Sequence, residues 1–349
     1  MKTVVYIPGD HSGLDMMEAC MLVMEELNPP IRWVRAEAGL SAWERWGDTV
    51  PPQTWEALRE SDACLFGAVT SVPGVKGFRS AIVQIRQAFD LYVNLRPFKT
   101  LPGVKSPLGK EIDLVLFREN TEDLYVGIER RGLEPKVLEA FPELSRFAGQ
   151  EVAISLKVVT ERGSRRIAEA ALDYALRHGR RSVTVVEKPN VCRATGGMFV
   201  EVARSVLEGR IEYRVENVDA TAMWLIKAPE SYDVILTTNA FGDVLSDECA
   251  QLVGGLGVCG SANLGDSWAL FEPAGGSVPK HAGKYLVNPT GMLISAAMML
   301  HHLGMEGHAG RLERALASVL EEGIYLTYDL KPEGFVSTMR MAEAVAERL

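Results

Sequence analysis

Apolar residues follow two different periodicities along this chain. Short and nearly continuous apolar runs predict strands, and these lie at residues 3–7, 31–35, 63–69, 91–95, 113–117, 151–158, 183–186, 211–215 and 233–238. Stretches with a period near 3.6 predict helices, and these lie at residues 14–27, 52–60, 79–89, 162–177, 197–207, 288–302, 307–322 and 338–348. The alternation of strands and helices predicts an α/β fold with largely parallel strands and right-handed crossovers, whereas the last hundred residues are expected to be mostly helical.

Composition narrows the class of protein. The chain has 349 residues, enough for two lobes, and 47% hydrophobic with 24% charged residues is ordinary globular usage. A membrane span needs about 18–20 apolar residues in a row and a signal peptide needs an apolar core before its cleavage site; neither is present, so we expect no membrane partner. The net charge of -9 argues against nucleic acid. Five widely spaced cysteines indicate free thiols in a reducing, cytoplasmic setting.

Three aspartates suggest a site for a hard cation. Asp243 and Asp247 are four residues apart in what the pattern predicts to be the first turns of a helix after a turn at 239–242, and Asp219 lies upstream of the preceding strand. Like charges at this spacing cost a helix about 0.2–0.5 kcal/mol, and a divalent cation held by carboxylate oxygens would explain the cost. The alternative is that acidic residues near a helix N-terminus merely favour its dipole.

Further segments carry charged or glycine-rich motifs in a fixed order. They are GDHSG at 9–13, DLYVNLRP at 90–97, RENTEDLYVGIE at 118–129, EKPNV at 187–191, TTNAFGDVLSD at 237–247, GGLG at 254–257, GSVPKHAGKYLVNPT at 276–290 and SAAMML at 295–300.

Taken together, these segments resemble the β-decarboxylating dehydrogenases, which include the isocitrate, homoisocitrate and 3-isopropylmalate dehydrogenases. The resemblance covers nearly the whole chain. It implies an isocitrate/isopropylmalate dehydrogenase-like α/β fold with two α/β lobes and the active-site cleft between them. The large cofactor-binding lobe would comprise residues 1–98 plus 254–349, and residues 99–253 would form a small lobe with the dimer interface.

The resemblance also implies a chemistry: oxidation of a 2-hydroxy acid and loss of its β-carboxylate, with Mg²⁺ or Mn²⁺ bound by Asp219, Asp243 and Asp247. Arginine holds carboxylates through its planar fork. The arginines that match the family's carboxylate clamp are Arg86, Arg96 and Arg118. Each could instead be a surface charge, but their motif context favours the binding role.

Tyr125 and Lys188 match the family's Tyr/Lys acid–base pair, and Asn190 is the usual polar companion of that lysine. Their alternatives are amphipathic packing for Tyr125 and a strand-end charge for Lys188. In the family, Lys188, Asn190 and Asp219 reach the substrate of the partner subunit. The resemblance therefore implies a homodimer with shared active sites, or a tetramer made of two such dimers.

The cofactor site is not a GxGxxG fingerprint. The matching dinucleotide residues are Glu272, Gly275, Gly276, Ser277, Lys280, His281 and Asn288. Lys280–His281 resembles the Lys–Tyr pair of NADP-dependent isocitrate dehydrogenases, whereas NAD-using relatives usually carry an acid at the first position for the ribose 2′-OH. We therefore expect NADP or NAD, with the alternative that Lys280 is a solvated loop residue. Gly275 stands where relatives usually have a histidine.

Residues 79–86, RSAIVQIR, carry the expected substrate discrimination. Isopropylmalate enzymes read ExxLLxxR there; in this chain Arg79 reverses the charge of the glutamate, and Ser80 matches the serine that binds the distal carboxylate of isocitrate. Homoisocitrate dehydrogenases give the nearest match, and Ile82 and Val83 could line the extra methylene. The small-molecule substrate predicted is thus a di- or tricarboxylate, homoisocitrate first, with isocitrate and an isopropylmalate-like acid as alternatives.

One interpretation from another class also follows from the resemblance. Some members of the family are non-catalytic regulatory subunits that have lost catalytic residues. Because the predicted tyrosine, lysine, aspartates and arginines are all present here, the sequence favours an enzyme.

Overall fold

The structure is a computed structural model that describes residues 1–72, 74–75 and 77–349. In that part of the chain the strands are β1 (Lys2–Ile7), β2 (Ile31–Arg35), β3 (Ala63–Phe66), β4 (Val93–Lys99), β5 (Asp113–Glu119), β6 (Glu129–Arg131), β7 (Ala153–Ser155), β8 (Ser182–Glu187), β9 (Glu212–Asn217), β10 (Val234–Thr237), β11 (Gly260–Leu264) and β12 (Ala269–Pro273). The helices are α1 (Ser12–Leu27), α2 (Leu40–Trp46), α3 (Pro52–Arg59), α4 (Ala81–Ala88), α5 (Pro135–Ala140), α6 (Glu161–Arg177), α7 (Thr195–Leu207), α8 (Val218–Lys227), α9 (Asn239–Leu252), α10 (Thr290–His302), α11 (Glu306–Glu322) and α12 (Thr338–Ala346).

Ten strands form one sheet in the order β2-β1-β3-β12-β11-β4-β5-β10-β8-β9. The outer strands pair in parallel, as the alternation of strands and helices predicts. The central pairs β12–β11, β11–β4 and β4–β5 are antiparallel. β6 and β7 form a separate antiparallel ribbon. The fold is therefore mixed α/β with a sheet dominated by parallel strands.

Strands such as β1, β3 and β10 are largely apolar because helices cover both faces of the sheet. In β1, Val4 packs with residues of α1, α10, α11 and α12, whereas its neighbour Val5 packs on the opposite face with residues of α3 and α4. β5 repeats this arrangement. Leu116 faces α8 and α9, and Phe117 faces α6 and α7. Alternate side chains of one strand thus bury against different helix layers.

Several sequence-based boundaries were wrong. The hairpin β11–β12 lies at the start of the segment expected to be mostly helical, and α2, α5 and α8 were not predicted. The expected strand at 151–158 is reduced to the three residues of β7. Arg79 and Ser80 precede α4, because Ser80 has the non-helical angles φ -55 and ψ 125. The predicted turn at 239–242 is the first turn of α9, so Asp243 lies in the second turn.

The sheet order groups the strands by sequence segment. β1–β4, β11 and β12 occupy one end of the sheet, and β5, β8, β9 and β10 the other, with β4 and β5 adjacent where the two sets meet. The division into lobes 1–98 plus 254–349 and 99–253 stays a prediction. Among the described residues, no helix is long and apolar enough to span a membrane.

Candidate active site

The predicted chemistry lies where neighbouring parallel strands end. β5, β10, β8 and β9 are adjacent and parallel, so their carboxyl ends share one edge of the sheet. Arg118 is next to last in β5, α9 with Asp243 follows β10, Lys188 follows β8, and Asp219 follows β9. Ligand sites of open α/β sheets form at such an edge.

Asp243 is bound by two of the predicted residues. Its Oδ2 accepts a hydrogen bond from the Tyr125 hydroxyl at 2.6 Å. Its Oδ1 pairs with the guanidinium of Arg118, which also lies over the Tyr125 ring, 5.0 Å from the ring centroid. Arg118 is only 1% exposed, and its Nε donates to Asn239 Oδ1 at 2.8 Å. The structure therefore joins a predicted metal ligand, a predicted acid and a predicted carboxylate-binding arginine.

The pKa values in this group follow from burial and charge. Burial raises the pKa of Tyr125, and the hydrogen bond to the Asp243 carboxylate raises it further, so the phenol stays protonated at neutral pH. Burial raises the pKa of Asp243, but Arg118, Tyr125 and Arg96 together lower it below its ordinary value. Burial lowers the pKa of Arg118 to about 10; Asp243 opposes that shift. The tyrosine is thus a proton donor and the aspartate an anion.

The three predicted arginines lie close enough to repel one another. All are buried, and Arg86 and Arg96 are 8% and 7% exposed. Burial, and then the charge of Arg86, lower the pKa of Arg96, and both arginines lower the pKa of Arg118. Each has one acidic neighbour: the ion pairs are Arg86–Glu272 at 2.6 Å, Arg96–Asp247 at 3.8 Å, and Arg118–Asp243. Three guanidinium groups crowded into a buried site form a surface suited to multiple carboxylates.

Lys188 and Asp219 form a second group. The lysine ammonium contacts Asp219 Oδ1, and this hydrogen bond lowers the pKa of the aspartate. Asn190 is exposed two residues further on. β9 is two strands from β10, about 10 Å away at ordinary strand spacing. Among the described residues, Lys188 and Asp219 pair with each other, and neither shares a hydrogen bond or an ion pair with Tyr125 or Asp243.

The residues fit a divalent cation in part. Within the residues that the structure describes, no group of three or more His, Cys, Asp or Glu side chains could hold a metal ion. Asp243 and Asp247 do supply two carboxylates on one face of α9, and their side chains are 44% and 62% exposed. Oxygen donors of this kind suit Mg²⁺ or Mn²⁺. A cation held by Asp243 and Asp247 would take up the two carboxylates that pair with Arg118 and Arg96, leaving those two arginines for an anionic substrate.

The predicted cofactor residues follow β12 as a loop. Ser277 is buried, its carbonyl accepts from Ser12 N at 3.0 Å, and its hydroxyl shares a hydrogen bond with Thr70 at 2.6 Å. Gly276 and Lys280 are exposed and Gly275 is half-buried. Val278 has φ +35, a left-handed conformation that is unusual for a β-branched residue. The loop is thus anchored at Ser277 and open at Lys280.

The other members of this set lie beside the C-terminal segment. His281 Nε2 shares a 3.1 Å hydrogen bond with the Tyr328 hydroxyl. Asn288 is buried, and its Nδ2 donates to Asp329 Oδ2 at 3.0 Å. Glu272 lies apart from this loop, on β12, where it binds Arg86. Of the residues predicted for the cofactor, Glu272 therefore lies with the arginines, and the others lie in the segment 275–288.

At the predicted substrate segment, the backbone of Arg79 is fixed. Its carbonyl accepts from Thr49 Oγ1 at 2.7 Å and from Gln84 Nε2 at 3.3 Å. Its side chain is exposed and has no ion-pair partner among the described residues. Ser80 is half-buried and its side chain does not cap α4. Arg79 is therefore available to a ligand.

Sequence reasoning missed the polar residues that support these groups. Glu187 is fully buried, binds Lys157, and accepts from Lys188 N at 2.5 Å and Thr238 Oγ1 at 3.0 Å. Asn94, Asn120 and Asn263 are buried beneath the arginines. The sequence does show polar residues inside apolar strand segments. It does not show which residues they bind.

Comparison with known proteins shows the family of this chain. Residues 3–345 match the isocitrate/isopropylmalate dehydrogenase family, and the chain belongs to that family. It is 42% identical over 351 residues to a 3-isopropylmalate dehydrogenase of Methanothermobacter thermautotrophicus, with 100% of this chain and 98% of the relative covered. It is also 42% identical over 349 residues to an isocitrate/homoisocitrate dehydrogenase of Thermus thermophilus, with 99% and 98% covered.

A solved structure shows the same fold. The isocitrate dehydrogenase from Methylococcus capsulatus superimposes with a TM-score of 0.92 at 39% identity, covering 100% of this chain and 99% of that one. The predicted isocitrate/isopropylmalate dehydrogenase-like fold is confirmed. The chain is an NAD(P)-dependent dehydrogenase of a family whose enzymes decarboxylate small carboxylic acids, generally with a divalent metal.

Proposed function

We propose that this enzyme oxidatively decarboxylates a substituted malate, a 2-hydroxy-3-carboxy acid, to a 2-oxo acid and CO₂ while NAD(P) is reduced. The observation that carries the proposal is the convergence of three buried arginines with Asp243 and Tyr125. The arginines would hold the substrate carboxylates, and Asp243 and Asp247 would hold Mg²⁺ or Mn²⁺. When bound, the cation would polarise the substrate's hydroxyl and keto oxygens, and the nicotinamide would accept the hydride from C2.

Protons move through the protein's own groups in this proposal. Lys188, acting as the neutral amine, takes the hydroxyl proton as C2 is oxidised and becomes an ammonium group. The bond from C3 to its carboxylate then breaks, CO₂ leaves, and the electron pair forms an enolate. Tyr125 gives its proton to C3, which its raised pKa and its protonated state at neutral pH permit.

We further propose that two copies share each active site. Lys188, Asn190 and Asp219 of one copy would act on the substrate held by the other, because within one chain Lys188 pairs with Asp219 and Tyr125 with Asp243, and no hydrogen bond or ion pair among the described residues joins the two pairs. Exposed apolar side chains in the stretch 124–244, which also contains Tyr125, Lys188, Asp219 and Asp243, favour a protein contact there: Leu124, Ile128, Phe141, Leu156, Val191, Met198, Met223, Trp224, Ile226 and Val244. Covering them with a second copy would bury both this surface and the Lys188–Asp219 pair.

The substrate we favour is homoisocitrate. The exposed guanidinium of Arg79 lacks an acidic partner among the described residues, which suits a third carboxylate. Ile82 and Arg86 are four residues apart on one face of α4, so an apolar side chain accompanies the arginine that would bind substrate. Isocitrate has the same carboxylates without the extra methylene. The relatives named 3-isopropylmalate dehydrogenase support the apolar alternative.

A matrix of kcat/KM values tests these proposals. The purified enzyme would be assayed with Mg²⁺ on homoisocitrate, isocitrate and 3-isopropylmalate, each with NAD and with NADP. We expect both tricarboxylates to exceed isopropylmalate, and homoisocitrate to be fastest. The fastest rate on isopropylmalate would contradict the substrate proposal, and no turnover on any acid would contradict the reaction.

A further inference from the structure

Three asparagine side chains are buried beneath the arginines. Asn94 and Asn263 are 0% exposed and Asn120 is 5% exposed. Asn94 on β4 and Asn263 on β11 lie opposite each other in the antiparallel part of the sheet. An amide buried without hydrogen bonds costs roughly 1–3 kcal/mol, so side chains of this kind need partners.

Asn263 is the centre of the hydrogen bonds in this group. Its Oδ1 accepts from Asn94 Nδ2 at 3.0 Å and from Asn120 Nδ2 at 2.9 Å. Its Nδ2 donates to Glu272 Oε1 at 2.8 Å. If the Asn263 amide were flipped, its NH₂ would face the NH₂ groups of Asn94 and Asn120, and its oxygen would face the Glu272 carboxylate. The three partners therefore fix the orientation of the amide.

Both ends of this network bind an arginine. Glu272 Oε1 accepts from Arg86 Nη2 at 2.6 Å. Asn94 Oδ1 accepts from Arg96 Nε at 2.9 Å. The Nε of Arg86 is buried and has no protein partner among the described residues. A donor left open in this way suits an incoming carboxylate.

We propose that Asn263 is a positioning residue that holds Arg86 and Arg96 in fixed orientations for the substrate carboxylates. This rests on the proposed function, in which those arginines bind substrate. A guanidinium grips a carboxylate through a planar fork, so rotation of the plane loses part of the contact. Because Asn263 lies on a central strand, it supports the two arginines from a rigid element.

Two variants of the enzyme distinguish the two sides of this network. One side runs from Asn263 through Glu272 to Arg86, and the other runs through Asn94 to Arg96. Asn263→Leu keeps the volume and removes every hydrogen bond. Asn263→Asp keeps the acceptors for Asn94 and Asn120 but, when ionised, cannot donate to Glu272. We expect Asn263→Leu to raise the substrate KM about tenfold or more, the loss associated with hydrogen bonds to charged groups. Thr184→Val is the matched control, since the Thr184 hydroxyl is buried in the same sheet and has no hydrogen-bond partner in the described part of the chain.

Double-mutant cycles distinguish positioning from general damage to the fold. Each Asn263 variant would be combined with Arg86→Lys and with Arg96→Lys, and kcat/KM measured on the best wild-type substrate. We expect the losses of Asn263→Asp and Arg86→Lys to be less than multiplicative, whereas those of Asn263→Asp and Arg96→Lys multiply. If Asn263→Leu does not fold, the Asn263→Asp cycles decide.

Two results would overturn the proposal: a substrate KM within about twofold of wild type for both folded variants, or multiplying losses in the Arg86 cycle. Failure of the proposed function looks different, because the wild-type enzyme would then turn over none of the three acids.

Discussion

Tyr125 donates its phenolic hydrogen bond to Asp243 at 2.6 Å, although the two residues are 118 positions apart in the chain. Tyr125 lies in a short 3₁₀ turn after β5, and Asp243 lies in the second turn of α9. Because β5 and β10 are adjacent and parallel, the segments that follow them meet at one edge of the sheet. The contact places a protonated phenol beside a proposed metal ligand.

Replacing Tyr125 by phenylalanine should slow turnover and spare the fold. Loss of a general acid typically reduces kcat by about 10²–10⁴-fold, whereas the lost hydrogen bond should cost only about 0.5–1.5 kcal/mol of unfolding free energy. Steady-state kinetics and thermal unfolding measure the two effects. Tyr92→Phe is the control, because its hydroxyl also bonds an aspartate, Asp266, at 3.0 Å. Equal losses in kcat for both variants would argue against an acid role for Tyr125.

Asp247→Asn should raise the Mg²⁺ concentration needed for half-maximal activity. Asp247 is a better residue to replace than Asp243. Asp243 also neutralises the buried Arg118, so loss of the Asp243 charge would destabilise the fold. Asp247 is 62% exposed and 3.8 Å from Arg96, so its neutralisation should change stability little. We expect at least about a tenfold increase, on the scale seen when support of a metal site is removed. Unchanged Mg²⁺ dependence, matching the surface control Asp173→Asn, would argue against a metal-binding role for Asp247; the helix dipole does not explain this residue, because α9 has no acidic residue in its first turn.

Sequence reasoning succeeded where a pattern has a local physical cause. Strands buried on both faces must be apolar throughout, so β1, β5 and β10 were predicted close to their observed bounds. It failed at β11 and β12. These two strands form a short antiparallel hairpin, so they lack the alternation of strand and helix by which the other strands were recognised. The start of α4 was misplaced because the apolar period does not distinguish Ser80, which precedes the helix, from Ala81, which begins it.

The site was predictable in its parts but not in its connections. The motifs around Tyr125, Arg118 and Asp243 predicted each residue, and the sheet order explains why they meet. The pairing of Asp219 with Lys188 depends on the order β10-β8-β9 of the strands before them, which no local pattern encodes. The bonds of Asn263 depend on the register between β11 and β4, which is also set by tertiary packing.

His301 should make stability depend on pH near neutrality. Burial lowers the pKa of this histidine, but hydrogen bonds to Glu306 and Glu313 raise it above its ordinary value of 6.5. A folded-state pKa above the unfolded one means that the stabilisation is fully present below pH 6.5 and is lost as pH rises through the folded pKa. His301→Gln should therefore lower Tm at pH 6 relative to wild type and match it at pH 9. If the difference in Tm did not depend on pH, the His301 ring would stabilise the fold by packing alone and its charge would contribute nothing.

Lys280→Asp should shift the preference from NADP toward NAD. Lys280 is exposed in the loop after β12, and the change swaps a cation suited to a 2′-phosphate for an acceptor suited to a ribose 2′-OH. A hydrogen bond to a charged group is worth about 1.5–3 kcal/mol, so the ratio of kcat/KM values should change about 10–150-fold. Lys284→Asp, an exposed lysine of the same loop, is the control and should leave the ratio unchanged. A wild type that already prefers NAD by more than about tenfold would show that Lys280 does not bind phosphate.

Arg79→Glu should depress activity on homoisocitrate and isocitrate far more than on 3-isopropylmalate. In the proposed complex the Arg79 guanidinium faces the third carboxylate, which isopropylmalate lacks. The variant removes an ion pair and adds repulsion in a closed site, a loss of about 2–5 kcal/mol or more than tenfold in kcat/KM. Thr49 and Gln84 bind the backbone carbonyl of Arg79, and the substitution leaves these hydrogen bonds in place. A shift of the backbone would therefore not explain a loss confined to the tricarboxylates. Arg59→Glu makes the same reversal on the exposed surface of α3 and should leave all three substrates unaffected. Equal losses on the three acids would instead assign Arg79 a structural role.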